Sequence, residues 1–127
     1  TPELRNEALY FRAKAYLNQQ ADKKAMNDLQ ALAKDTRTLY GAEAKYLVAL
    51  QLYKAHEYAA AEKEILNFIE QSTHAYWLAR SFILLSDVYV AMDKKLDARQ
   101  YLLSLQQNYH ADDDIEQMIN ERLEKLK

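Results

Sequence analysis

The 127-residue sequence has no cysteine, one glycine, one proline and one tryptophan. Without cysteine there is no disulfide framework and no thiolate to serve as nucleophile or metal ligand. With one glycine and one proline, turns that need a left-handed glycine or a fixed proline φ are almost excluded, so long helices with short polar joints are expected. Charge of one sign is lacking too. Lys and Arg number 17 and Asp and Glu 19, for a net charge of −2. That balance argues against general nucleic-acid binding, which needs a basic stripe to neutralise phosphates. No apolar run reaches the roughly 20 residues of a transmembrane helix, and no signal-peptide pattern opens the chain.

What is present is helical. Half of the residues are hydrophobic and 28% are charged, a globular rather than disordered balance. Ala, Leu, Lys, Glu and Gln dominate and β-branched residues are few, which favours helix over strand.

The alanines carry an internal repeat. Small residues stand 12 apart three times, as Ala13 and Ala25, Ala49 and Ala61, Ser86 and Ala98, and successive sets are stepped by 36 and then 37 residues. Each first small residue is followed three positions on by Tyr16, Leu52 or Tyr89. Each second one is followed four and seven positions on by Leu29 and Leu32, Ile65 and Phe68, or Leu102 and Leu105. Offsets of three, four and seven place side chains on one helix face. Small residues let two antiparallel helices approach closely while the larger neighbours fill the space around them. One pair cannot bury its own stripe, so about three stacked pairs are the usual minimum.

Helices are predicted over about 3–19, 22–35, 40–55, 58–71, 76–92 and 95–108, with joints near Gln20, Thr36–Thr38, His56–Glu57, Ser72–His74 and Asp93–Lys94. Thr1-Pro2-Glu3 has the form of a helix start, with Thr as N-cap and Pro at the first helical position. A seventh helix follows Asp112-Asp113-Asp114 and carries Ile115, Ile119, Leu123 and Leu126 on one stripe, acids first and lysines last.

The small residues Ala13, Ala49 and Ser86, the large ones Tyr16, Leu52 and Tyr89, and the alanines Ala25, Ala61 and Ala98 resemble the tetratricopeptide repeat family from about Glu3 to Tyr109. Leu9, Lys45 and Phe82 stand where the family carries Trp, Arg12 departs from the pattern, and the closing Pro is absent. The 36–37-residue period exceeds the family's usual length of about 34. It resembles the variant repeats of bacterial envelope proteins, such as the Tol-Pal accessory factor, outer-membrane assembly lipoproteins and large repeat proteins of Bacteroidetes. The resemblance implies an all-α fold, a right-handed α-solenoid of three helix pairs plus a C-terminal capping helix, within a single domain of residues 1–127. It implies repeats over about 3–36, 39–73 and 76–109 and a cap over about 112–127. A periplasmic or outer-membrane-associated location is the expectation, with the cytoplasm as the alternative, and the chain is expected to belong to a larger chain or envelope complex.

The family's ligand-contacting positions lie on the first helix of each pair. Carried over by register, they give a concave face of Tyr10 and Lys14 in the first repeat, Tyr46, Leu50, Tyr53 and Lys54 in the second, and Ile83 and Asp87 in the third. Glu7, Glu43 and Arg80 share that register. Rigid amphipathic tyrosines edged by charge suit a protein or peptide partner. The competing reading is that some of these rings pack between helices.

Other chemistry is sparse. Asp112, Asp113, Asp114 and Glu116 lack the central Gly and final Glu of an EF-hand loop, and helix-start acids explain them. His56, His74 and His110 fall in joints, without the helical spacing of a zinc site. There is no Ser–His–acid set and no Gly-rich phosphate loop. The expectation is a non-enzymatic interaction scaffold with no cofactor and no metal. The alternative is a structural or self-associating C-terminal segment of a longer solenoid without a peptide groove. An RNA-binding helical repeat is a third class, opposed by the acidic balance.

Overall fold

The computed structural model describes residues 1–127, and all regular structure in it is helical. The order is α1 (Pro2–Asn18), α2 (Asp22–Leu32), α3 (Leu39–Lys54), α4 (Tyr58–Gln71), α5 (Ala75–Ala91), α6 (Lys95–Asn108) and α7 (Ile115–Lys125). Thr1 caps α1, its Oγ1 accepting from the Leu4 amide at 3.2 Å, with Pro2 in the first turn. α2 stops at Leu32, earlier than the sequence pattern suggests. Asp35 Oδ1 accepts from the Arg37 amide at 3.1 Å, a local turn that competes with helix, and Thr38 then caps α3 through the Gly41 amide at 2.9 Å. Gly41 is required for close approach, because a Cβ there would collide with the Asp35 carbonyl.

The repeat is written in the backbone as well. Gln20, His56 and Asp93 adopt φ of 60°, 63° and 61°, and they stand 36 and 37 residues apart like the alanines. At each, the next amide reaches back across the helix end: Ala21 to Tyr16, Glu57 to Leu52 and Lys94 to Tyr89, at 2.8, 2.9 and 2.7 Å. A second bond joins Gln20 to Leu17, His56 to Tyr53 and Asp93 to Val90. These are Schellman motifs that end α1, α3 and α5, built here without glycine.

Each helix packs on the next in sequence. In addition α1 touches α3, α3 touches α5 and α5 touches α7, whereas α2, α4 and α6 do not touch one another. The odd-numbered helices therefore crowd together on one side and the even-numbered ones are spread on the other. Ala13, Ala25, Ala49, Ala61, Ser86 and Ala98 are all buried to within 1% of completely. They sit in a core that runs from Leu29 and Leu32, packed with Ala44 and Val48, through Ile65, Leu84 and Val88, to Leu102, Leu105, Ile115 and Ile119. Each segment of that core draws on at least three helices, so no pair buries its stripe alone.

Candidate interaction surface

Each odd-numbered helix touches the next odd-numbered one, and polar bonds cross between them at the positions expected to face a partner. Tyr10 Oη donates to both carboxylate oxygens of Glu43 at 3.0 and 3.1 Å, and Lys14 Nζ reaches Glu43 Oε2 at 3.0 Å. Burial and then this carboxylate raise the Tyr10 hydroxyl pKa above its ordinary value, which keeps it a donor. The Tyr10 ring lies 4.6 Å from that of Tyr40.

The next step along the row uses Arg80. Its Nη2 donates to Tyr46 Oη at 3.3 Å, and its Nη1 donates to Tyr76 Oη and Asp114 Oδ2 at 3.2 Å each. Tyr76 Oη in turn donates to Asp114 Oδ1 at 2.8 Å. The guanidinium sits 5.2 Å above the Tyr46 ring, whose other neighbour is Trp77 at 5.5 Å between centroids. Tyr46 is only 6% exposed and Ile83 only 1%. Both were expected on the partner-facing ridge, and both belong to the core. The cause is the tight spacing of the odd-numbered helices, which turns the flank of each first helix into a packing surface for the next. Leu50 is half-buried against the same core.

Asp114 also departs from a simple helix-start role. It sits at the N-cap position of α7 but makes no side-chain cap bond, and Asp113 Oδ1 accepts from the Ile115 amide instead at 3.0 Å. Asp114 is spent on tying α7 to α5.

Lys14 keeps 43% side-chain exposure at the first end of the row, and the expected residues that border a groove lie at the other end. Asp87 is held by Arg122 of α7 in a two-point contact of 2.9 and 3.0 Å. Tyr53 lies beside it, its hydroxyl pKa raised by burial and by the charge of Asp87. Between α5 and α7 these residues open into a groove of about 480 Å³, lined by Tyr53, Ser86, Asp87 and Val90 together with Lys95, Glu121, Arg122, Lys125 and Leu126. Lys54 ends α3 and is exposed.

Glu43 and Arg80 were legible only as register positions, and their role as cross-helix ties was not. Arg122 and Lys95 were missed altogether, and Lys125 was read only as a helix-end cation, because nothing in a local pattern says which face of α7 meets α5. No group of three or more His, Cys, Asp or Glu side chains converges to hold a metal ion. No helix is long and apolar enough to cross a membrane. Comparison with protein-family models, with curated proteins and with solved structures finds no match for this chain.

Proposed function

We propose that the chain is a protein-interaction module, a right-handed solenoid of tetratricopeptide-like helix pairs that holds a partner protein or peptide at the C-terminal end of its concave face. One observation carries this reading: the row of first helices is stitched shut by its own bonds from Tyr10 to Asp114, yet it opens at Tyr53, Asp87 and Val90 into a groove. A groove with tyrosine and aliphatic walls edged by charge suits a peptide better than a small metabolite. A photo-crosslinking amino acid placed at Val90, which is 37% exposed, is expected to trap a defined host protein. The same amino acid at exposed Asn67 on α4 is the control. Equal capture at both positions, or none at Val90, refutes the reading.

A second reading has its own observation. Leu4, Ala8, Phe11 and Ala15 form an exposed apolar stripe on α1, with Leu4 at 64% and Phe11 at 57% exposure. In the 36-residue register these positions match Tyr40, Ala44, Leu47 and Gln51 of α3, the face that packs back toward α2. The stripe supports a structural role in which further helices or a second chain cover α1. Light scattering of the parent and of Phe11→Asp tests it, and two strictly monomeric profiles count against self-association.

A further inference from the structure

Of the polar groups of the groove between α5 and α7, some are engaged within the chain and others are not. Asp87 and Arg122 satisfy each other. Glu121 accepts one bond from Gln117 Nε2 at 3.2 Å and joins no ion pair, so Lys95, Arg122 and Lys125 outnumber the groove's anions Asp87 and Glu121 by one. Ser86 Oγ, by contrast, is buried and has no hydrogen-bond partner. Packing does not call for that hydroxyl, since Ala13 and Ala49 fill the same register position in the other two repeats. Lys95 and Lys125 enter the groove from the start of α6 and the end of α7. Neither joins any of the ion pairs formed within the chain. The unengaged groups on the wall thus include two ammonium donors and a hydroxyl, beside the apolar surfaces of Val90 and Leu126. Lys95 also stands in the first turn of a helix that has no side-chain cap, where the backbone dipole adds positive potential.

We propose that this groove binds an acidic peptide segment. An Asp or Glu side-chain carboxylate is received between Lys95 and Lys125 and takes a hydrogen bond from Ser86 Oγ, while a neighbouring apolar side chain rests on Val90 and Leu126. A buried hydroxyl without a partner is a standing cost, and a ligand acceptor removes it. Two free cations facing a carboxylate, in a groove whose lining stays one charge positive with Glu121 counted, supply charge complementarity, which sets register and on-rate. The groove's volume of about 480 Å³ accommodates a few residues of an extended segment rather than a folded surface. This inference rests on the groove being the partner site proposed above.

The test is fluorescence anisotropy with a labelled, acetylated and amidated peptide of alternating Glu and Leu, against the same peptide with Gln for Glu. The parent protein is expected to bind the Glu peptide and not the Gln peptide. Raising salt from about 0.1 M to about 1 M, which shortens the Debye length from about 10 Å to about 3 Å, is expected to weaken binding. Lys95→Glu with Lys125→Glu is expected to weaken it about tenfold or more. Ser86→Ala is expected to weaken it about fivefold, the worth of one hydrogen bond. Because alanine is the residue of the other two repeats at that position, this variant is expected to melt no lower than the parent. Equal binding of the Glu and Gln peptides overturns the proposal, as does parent-like binding by both variants. If only a peptide with a free C-terminal carboxylate binds, the assignment to a side-chain carboxylate is overturned. If crosslinking at Val90 persists while the Glu peptide fails to bind, the carboxylate inference alone falls. Loss of both refutes the groove as a partner site.

Discussion

Ala61→Arg probes the register on which the fold depends. Ala61 has 0% exposure and packs with Ala49, Ile65, Leu85 and Ala98, where α3, α4, α5 and α6 converge. A methyl group is replaced there by a long cation for which no acid faces the site among those core residues. Overpacking alone costs about 1–3 kcal/mol, and an unpaired buried charge adds several kcal/mol unless the helices part to let it out. A net loss of about 4 kcal/mol is therefore expected, a large share of the stability of a domain this size. With an unfolding entropy of about 2.1 cal/mol/K per residue, the whole chain gives about 0.27 kcal/mol/K, so the midpoint should fall by about 15 °C. The control is Ala60→Arg, one residue away and exposed on the other side of α4. Surface changes of that kind stay within about 0.5 kcal/mol, or about 2 °C. Thermal melts followed by far-ultraviolet circular dichroism, with urea titrations alongside, read both. A parent-like melt for Ala61→Arg, or equal losses for the two variants, would refute the register.

Other consequences follow from particular residues. Gln20→Gly should raise stability by about 0.5–1 kcal/mol, since Gln20 holds a φ of 60° that glycine adopts without steric cost; a urea midpoint below the parent's would contradict this. Gly41→Ala should lose about 2–3 kcal/mol in the same titration, because its Cβ meets the rigid Asp35 carbonyl. Asp87 and Arg122 keep 23% and 26% side-chain exposure, so a double-mutant cycle with Asp87→Ala and Arg122→Ala should return a coupling of about 1 kcal/mol. Hydrogen exchange in the single variants should be faster along α7, and unchanged α7 protection would show that the pair does not hold it. The Tyr109 hydroxyl ordinarily ionises near 10.0, and burial together with its bond to the Asp113 carboxylate pushes this up to about 12. A raised folded-state pKa means that its contribution to stability is complete below about pH 10 and is lost as pH climbs through about 12. Tyr10, Tyr53, Tyr76 and Tyr89 also ionise late, so ultraviolet titration should show a late step that loses the amplitude of one tyrosine in Tyr109→Phe; an unchanged late amplitude would refute the assignment.

The helices, their joints and the innermost core could be read along the chain, apart from the early end of α2 at Leu32. Twelve-residue spacing of small residues, repeated at 36 and 37, placed Ala13, Ala25, Ala49, Ala61, Ser86 and Ala98 in buried positions, because helical periodicity is a local property that burial must respect. Joints at Gln20, His56 and Asp93 were legible for the same reason, although the left-handed backbone that non-glycine residues adopt there was not. Which side of α1, α3 and α5 stays open emerges from how the helices pack. Tyr46 and Ile83 share the sequence register of Tyr10, one position along the same ridge from that of Asp87, yet the packing of α1, α3, α5 and α7 sends the first two into the core and binds Tyr10 to Glu43. The pairing of Asp87 with Arg122 and the meeting of Ser86, Lys95 and Lys125 around one groove likewise depend on how α7 lies against α5. That geometry is set by long-range packing among helices dozens of residues apart, which no periodicity along the chain encodes.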